Sequence, residues 1–476
     1  MKDEVAALPA DRPRVAFVKS RANDPEWSLL SQPIGIMSVA AYLRRELGCE
    51  VRIIDIRLQD LDRPGLESAL REFSPSVVGI SALTFESDAI GWIAAAAKAV
   101  DPRIPVLLGG PHATAYPQRA VAIPGVDYLV QGEGEIAASR LIECLREGGD
   151  PSSVEGLVFE RDGRIVDTGR AELIEELDRL PMPAYDLIPL EPYRHFDRFS
   201  RSGSGLYAGL FSSRGCPYLC VYCHNLFGKK FRARSARSLF DEIRYLHDAY
   251  GVREFEIYDD IFNLDRDSLL AFCDLVIESG LRVSLVFANG LRGDLLDEEQ
   301  LERLRRAGTV YISFAVETGS PRIQKLIHKN IRLDAIARNI ETAHRLGIHP
   351  HGFFMVGFPT ETLQDMQMTV DFLLRSKLHT FNLFTAMPFE GTRLGEMARE
   401  LGRAPVDDFS LHYLTRRFVN LSEVPDQQVN RLRQQTLLRF FLDPVRLWWL
   451  ARHFPHKRGL PRLARVFFLR LRWRST

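Results

Sequence analysis

RGCPYLCVYCHN, residues 214–225, sets Cys216, Cys220 and Cys223 at the spacing C-x3-C-x2-C, with Tyr222 just ahead of the last cysteine. Three thiolates on one short loop can hold three corners of a four-iron cluster and leave the fourth iron open. A zinc site would want a fourth ligand, and His224 stands too close to Cys223 in sequence to complete a tetrahedron easily. A disulfide would leave one cysteine odd and would need an oxidising compartment. The loop follows an apolar, strand-like run, which favours the cluster.

Downstream, from residue 206 to about 400, strand-like and helix-like runs alternate. Candidate strands are 207–213, 254–260, 283–288, 310–317, 350–357 and 380–387, with helical periodicity between them, as in 239–250 and 333–347. Gly347 stands where a helix would stop. Six such units predict an incomplete parallel barrel, whose chemistry sits at the carboxyl ends of its strands. Polar and glycine residues gather there: Tyr258-Asp259-Asp260, Ala288-Asn289-Gly290-Leu291-Arg292, Val316-Glu317-Thr318-Gly319-Ser320, Val356-Gly357-Phe358-Pro359-Thr360-Glu361 and Pro388-Phe389-Glu390-Gly391-Thr392. Singly, an acid at a strand end such as Asp259 or Glu361 is commonly a helix cap.

In order, these elements resemble the core of the radical S-adenosylmethionine (radical SAM) enzymes over about two hundred residues. The resemblance implies a 4Fe-4S cluster on Cys216, Cys220 and Cys223 whose open iron binds the amino and carboxylate groups of SAM. Tyr222 would lie near the adenine. Asp259 or Asp260 would accept from the SAM ammonium, and Glu317 and Ser320 would serve its ribose and carboxylate. Gly357 and Glu361 would approach the adenosyl group, and Pro388, Gly391 and Thr392 would form an adenine-contacting turn.

Upstream, residues 13–150 also alternate. Strand-like runs at 14–18, 51–56, 77–82, 105–110 and 126–132 flank helix-like 34–47 and 90–100, which predicts a doubly wound, Rossmann-like parallel sheet. Such sheets bind ligands beyond the carboxyl ends of their strands, where Gly109-Gly110 and Gly132-Glu133-Gly134-Glu135 fall. Ser81-Ala82-Leu83 followed by Gly109-Gly110 resembles the later two elements of the cobalamin-binding domains. There, small residues make room for the dimethylbenzimidazole tail. The first element of that family, D-x-H-x-x-G, is here Asp55-Ile56-Arg57-Leu58-Gln59-Asp60. Arg57 replaces the histidine that ligates cobalt, and a guanidinium has no lone pair to donate. The expectation is a domain that holds cobalamin without a protein ligand on cobalt, or one that has lost the cofactor and serves as scaffold.

Residues 151–205 read as a connector: a hairpin at 156–169 around Asp162-Gly163, then a proline-dense strap at 176–193. Residues 1–12 are a short tail. Acidic and basic residues balance at 62 each among 476, so bulk charge names no partner. Cys49, Cys144 and Cys273 sit in apolar contexts as core residues. With no secretory leader and no run of about 18 apolar residues visible, the expected location is the cytoplasm. In the region 401–476, residues 444–476 carry nine Lys or Arg and no Asp or Glu, interleaved with Leu447, Trp448, Trp449, Leu450, Phe454, Phe467, Phe468 and Trp473. That pattern suits an interfacial helix on the inner face of an anionic membrane, or a helical cap on the barrel.

The class is therefore α/β: a cobalamin-binding-type domain, a partial (β/α)6 radical SAM barrel and a helical basic tail. The resemblance implies reductive cleavage of SAM to a deoxyadenosyl radical and modification of an unactivated carbon in a small, apolar or lipid-like metabolite. Methyl transfer is the leading outcome, and cyclisation or oxidation the alternative. An external flavodoxin- or ferredoxin-like electron donor would be required, and no nucleic-acid partner is expected. A methylthiotransferase would show further cluster cysteines in the N-terminal domain, where only Cys49 and Cys144 lie. The non-catalytic alternative is a cobalamin- or SAM-responsive binding protein.

Overall fold

The computed structural model describes residues 12–22, 29–200, 205–224, 226–403 and 419–454. Two sheets carry the molecule, the first mixed and the second all parallel. The first is built from β1 (Arg14–Lys19), β2 (Glu50–Asp55), β3 (Val77–Ser81), β4 (Val106–Gly109), β5 (Tyr128–Val130), β6 (Leu157–Arg161) and β7 (Arg164–Asp167), in the order β2-β1-β3-β4-β5-β6-β7. Its crossovers are α1 (Ile34–Leu47), α2 (Arg63–Phe73), α3 (Ile90–Val100), α4 (Pro111–Ala115), α5 (Pro117–Ala120) and α6 (Gly134–Arg146). Because β1 pairs with both β2 and β3, the chain reverses direction across the sheet there, at the usual ligand crevice of such folds.

The hairpin expected in the connector instead extends this first sheet, with β6 antiparallel to β5. Its turn residues Asp162 (φ 52°) and Gly163 (φ 72°) both take left-handed backbone, as a two-residue hairpin turn requires.

The second sheet holds β8 (Tyr207–Leu210), β11 (Glu254–Ile257), β12 (Ser284–Leu291), β13 (Thr309–Glu317), β14 (His349–Val356) and β15 (Thr380–Thr385). It runs β15-β14-β13-β12-β11-β8, all parallel. A two-stranded ribbon, β9 (Ser213–Arg214) with β10 (Arg232–Ala233), flanks the cysteine loop. Where the sequence suggests one strand over 207–213, the chain leaves the sheet after Leu210 and pairs again only at Ser213, which opens room for the loop.

The barrel helices are α7 (Ala236–Tyr250), α8 (Arg266–Ser279), α9 (Glu298–Arg306), α10 (Pro321–Leu326), α11 (Leu333–Arg345), α12 (Leu363–Arg375) and α13 (Arg393–Glu400). They are followed by α14 (Asp426–Phe441) and α15 (Pro444–His453). Local chemistry sets their ends. Ser235 and Asp265 cap α7 and α8 by accepting from Ser238 N and Ser268 N, and Gly251 and Gly280 end them at φ 69° and 68°. Gly347, at φ 73°, follows the cap residue Leu346, two residues past the end of α11.

One apolar core runs from a face of the first sheet into the barrel, through the strap residues Ala184, Tyr185, Ile188, Leu190 and Tyr193. The strap grips both sides. Tyr185 donates to Glu242 on α7 at 2.7 Å, and Tyr193 donates to Asp55 at the end of β2 at 2.8 Å. Gln32 completes the free edge of β8: its Nε2 donates to Tyr207 O at 3.0 Å and its Oε1 accepts from Gly209 N at 3.1 Å. These side-chain bonds do for an edge strand what a further strand would do. Among the described residues no helix is long and apolar enough to cross a membrane.

Candidate functional site

The cysteine loop is held open by bonds around its base. Asp259, at the end of β11, accepts from Ser212 N at 2.7 Å, from Ser213 Oγ at 2.7 Å and from Ser212 Oγ. Both its oxygens are consumed in tying β11 to the chain that enters the loop. Burial pushes the Asp259 carboxyl up to about 6, against these hydrogen bonds, which favour the charged form. Its neighbour Asp260 is exposed and acts electrostatically on Cys216 and Cys223. The structure thus divides the acidic pair: one carboxylate braces the loop, the other stays exposed and acts on the thiols through its charge.

Gly215 makes the turn into the loop at φ 83°, and a Cβ there would lie 2.2 Å from Lys230 O. Only glycine meets both demands. The loop closes through Cys216 N to Gly228 O at 3.4 Å and Cys223 N to Cys220 O at 3.1 Å. Val221 ties it to the barrel, donating to Ile327 O at 3.1 Å and accepting from Leu394 N at 2.8 Å.

The three thiols influence one another electrostatically. Burial, then Asp260 and Cys220, raises the Cys216 thiol above its ordinary value, so a cation at the loop would relieve it. Among the described residues no three His, Cys, Asp or Glu side chains converge on a single-ion site. Cluster ligation makes no such demand, since each cysteine takes a different iron.

Around the loop stand the other strand ends. Glu317 takes φ 68°, a conformation costly for a non-glycine residue, and its carboxylate lies 3.2 Å from Lys329 Nζ. Half-buried Tyr222 feels Glu317 and the Cys220 and Cys223 thiols, and desolvation with these negative neighbours lifts its hydroxyl well above the ordinary value. Arg292 lies 3.7 Å from the Tyr218 ring centroid and pairs with Asp294 at 3.1 Å. Glu361 Oε2 accepts from Gly357 N at 2.6 Å and Phe358 N at 3.0 Å, fixing the turn at Gly357 (φ 91°). Burial pushes its carboxyl up to about 7, and Oε1 is buried with no hydrogen-bond partner, a polar atom left for a ligand.

Other residues singled out in the sequence act here as scaffold. Ser320 caps α10 and donates to Asp365 Oδ1 at 2.6 Å. Thr392 caps α13 and donates to Phe389 O at 2.6 Å. The turn from Pro388 to Thr392 meets the first domain: Glu390 pairs with Arg119 at 3.1 Å, and a Cβ on Gly391 would lie 3.7 Å from Ala115 O.

In the first domain, register places Asp55, Lys19, Ser81 and Gly109 side by side at the carboxyl ends of β2, β1, β3 and β4. Gly110 follows at φ 87°, and a Cβ there would lie 2.7 Å from Ser81 Oγ, so the crevice is kept clear by the absence of a side chain. Leu83 N donates to buried Glu86 at 2.9 Å. Asp55 faces inward. It accepts from Arg57 N at 3.1 Å, Leu58 N at 3.0 Å and Tyr193, and lies 3.3 Å from Lys19 Nζ, so it shapes the 55–58 loop. The Arg57 guanidinium lies 6.0 Å from the Phe196 ring centroid.

Several residues at this site carried no sequence signal. Lys329 and Lys229 sit in loops of no recognisable pattern, although Lys229 donates to Tyr218 O at 2.8 Å. Arg214, Glu133 and Glu135 lie within the cysteine motif and the Gly132–Glu135 motif, whose spacing says nothing of their pairing.

Residues 210–373 match the Radical SAM superfamily, and residues 28–142 match the B12 binding domain. The chain belongs to the radical SAM enzymes that carry a cobalamin-binding-type domain. It is 29% identical to an uncharacterized methyltransferase of Pyrococcus horikoshii over 92% of this chain and 94% of that one. It is 29% identical to the cytidylyl-2-hydroxyethylphosphonate methyltransferase of Streptomyces wedmorensis, over 76% and 77%. Identity is 27% to the anaerobic magnesium-protoporphyrin IX monomethyl ester cyclase of Rubrivivax gelatinosus, over 79% and 68%. The fold is shared with the cobalamin-dependent radical enzyme OxsB (TM-score 0.74, 15% identity, 97% of this chain, 75% of that one). It is shared also with the methyltransferase TsrM of Kitasatospora setae, solved with cobalamin and a [4Fe-4S] cluster (TM-score 0.71, 18% identity, 91% and 90%).

Gly215→Ala should displace the loop by forcing Cβ toward Lys230 O. After anaerobic reconstitution its iron content should fall to a small fraction of wild type while the circular dichroism spectrum is unchanged. Wild-type iron content in the variant would contradict the role given to this turn.

Proposed function

We propose that this enzyme uses SAM and cobalamin to methylate an unactivated carbon of a small, largely apolar metabolite. The observation that carries the reading is the cysteine loop itself, framed by the carboxyl ends of six parallel strands and fastened to the carboxyl-end loops of the first sheet. When bound, the cluster and the corrinoid would supply one-electron cleavage of the SAM sulfonium and a methyl group to deliver.

The chain's own residues do the positioning. Cys216, Cys220 and Cys223 would hold three irons. Asp260 would accept from the SAM ammonium, and the Glu317–Lys329 pair would offer SAM one charge of each sign. Glu361 fixes the Gly357 turn, which would approach the adenosyl group; Tyr222 would flank the adenine, and Asp259, Ser320, Pro388, Gly391 and Thr392 would shape the wall. Ser81, Leu83, Gly109 and Gly110 leave room for the cobalamin tail, and Asp55 braces the loop that carries Arg57. With arginine there, cobalt receives no histidine from this loop.

Cyclisation without methyl transfer is the second reading, favoured by the similarity to the anaerobic cyclase. Electrons would come from a flavodoxin- or ferredoxin-like donor in the cytoplasm.

The test is to reconstitute the enzyme anaerobically, add methyl-labelled SAM and reductant with a cell extract, and follow both products. Wild type should release deoxyadenosine and Cys220→Ala none above background. Label in the extract product identifies a methylase, and an unlabelled modified product identifies the cyclase reading. An intact, SAM-binding cluster that yields no deoxyadenosine would overturn the enzymatic reading.

We also propose that the C-terminal region touches an anionic membrane. Arg446 anchors α15 to the barrel through Leu378 O at 2.7 Å and Ser376 O at 3.0 Å, with the Trp449 ring 4.5 Å from that of His344. Leu438, Leu442, Val445, Leu447 and Trp448 remain exposed around the corner between α14 and α15. Phe467, Phe468 and Trp473 lie outside the described residues. The full chain should float with phosphatidylserine liposomes and a chain lacking 444–476 should not. Equal recovery of both in the lipid-free fraction would rule the contact out.

A further inference from the structure

The cysteine loop is fastened to the first domain at both ends. At its entrance, Arg214 reaches the loop after β5, with its Nη2 2.6 Å from Glu135 Oε1 and its Nη1 3.4 Å from Glu133 Oε2. Glu135 also accepts from Ser38 on α1 at 2.6 Å. Glu133 Oε1 lies 2.5 Å from Arg232 Nη2, and its Oε2 accepts from Ile174 N at 2.9 Å. Arg214 and Arg232 face each other across the β9–β10 ribbon, so the two glutamates hold both strands that frame the loop. At its exit, the His224 ring lies 6.3 Å from that of Tyr116, on the segment after β4.

Glu133, Glu135 and Arg232 are almost wholly buried, and Arg214 keeps 13% of its side chain exposed. Apolar side chains of similar volume would join two domains at least as firmly, because buried ions are costly to desolvate. What a forked guanidinium between carboxylates adds is direction. The flanking glycines serve the same end: Gly132 takes φ 72°, and a Cβ on Gly134 would lie 3.1 Å from Val39. Burial alone would raise the Glu135 carboxyl, but Arg214 and the Ser38 bond carry it below its ordinary value.

We infer that Glu133 and Glu135 are positioning residues that fix the cysteine loop against the carboxyl-end face of the first sheet. They thereby set the separation between what the two domains hold. This rests on the cluster and corrinoid reading above.

The test is electron paramagnetic resonance of protein loaded with cluster and cobalamin, with the cluster reduced and cobalt divalent, so that each centre senses the other's distance. Wild type should show one well-defined spin–spin interaction. Glu135→Gln keeps the shape and the Ser38 bond, and should retain at least 80% of wild-type iron and corrinoid while that interaction broadens or shifts. The double variant Glu135→Gln/Arg214→Met leaves no lone buried charge. It should recover wild-type melting temperature without recovering the spectrum.

A wild-type interaction in loaded Glu135→Gln, or its recovery together with stability in the double variant, overturns the inference. If Glu135→Gln does not fold, Arg214→Lys, which keeps the charge and loses the fork, is judged by the same spectrum. Wild-type protein that takes up iron but no corrinoid overturns both this inference and the reading beneath it. Unchanged spectra in loaded variants overturn this one alone.

Discussion

A chain that presents three thiols on one short loop must leave regular structure and yet stay ordered. Here the constraint is met by a left-handed turn at Gly215 and by Asp259, whose two oxygens hold Ser212 and Ser213. Without that brace the loop would have no fixed relation to the strand ends. With it, Asp260 acts electrostatically on Cys216 and Cys223, and Val221 is tied to the segment after α10 and to α13.

The second requirement is that two domains meet at their chemically useful edges. Each sheet gathers its loops at the carboxyl ends of its strands, and the contacts between domains join loop to loop: Arg214 to Glu135, Arg119 to Glu390, His224 to Tyr116. The strap adds Tyr185 on one side and Tyr193 on the other. Polar contacts of this kind define orientation more than they add stability. An enzyme that passes a group between two sites needs that rigidity.

Much of this was legible in the residues. Strand–helix alternation reported both sheets, because parallel strands buried on both faces read as apolar runs. The cysteine spacing reported the loop, since ligand spacing is local. Partners across space were not legible. Nothing near Asp259 in sequence says that it spends itself on Ser212 and Ser213 while Asp260 stays exposed. Ser320 and Thr392 also cap helices, accepting from Ile323 N and Gly395 N. Lys329 follows a six-residue helix and meets Glu317 only through the fold. The 156–169 hairpin was visible as a hairpin, but its docking on β5 was not, because pairing partners are not encoded in a strand's own pattern.

The most direct measurement of the central claim is Mössbauer spectroscopy of the iron-57-reconstituted protein with and without SAM. Three cysteines at three corners leave one iron distinct. On adding SAM, one quarter of the iron signal should shift to the parameters of a higher-coordinate site while the remainder stays in place. A spectrum in which all the irons are equivalent, or in which SAM moves none of them, would contradict the account.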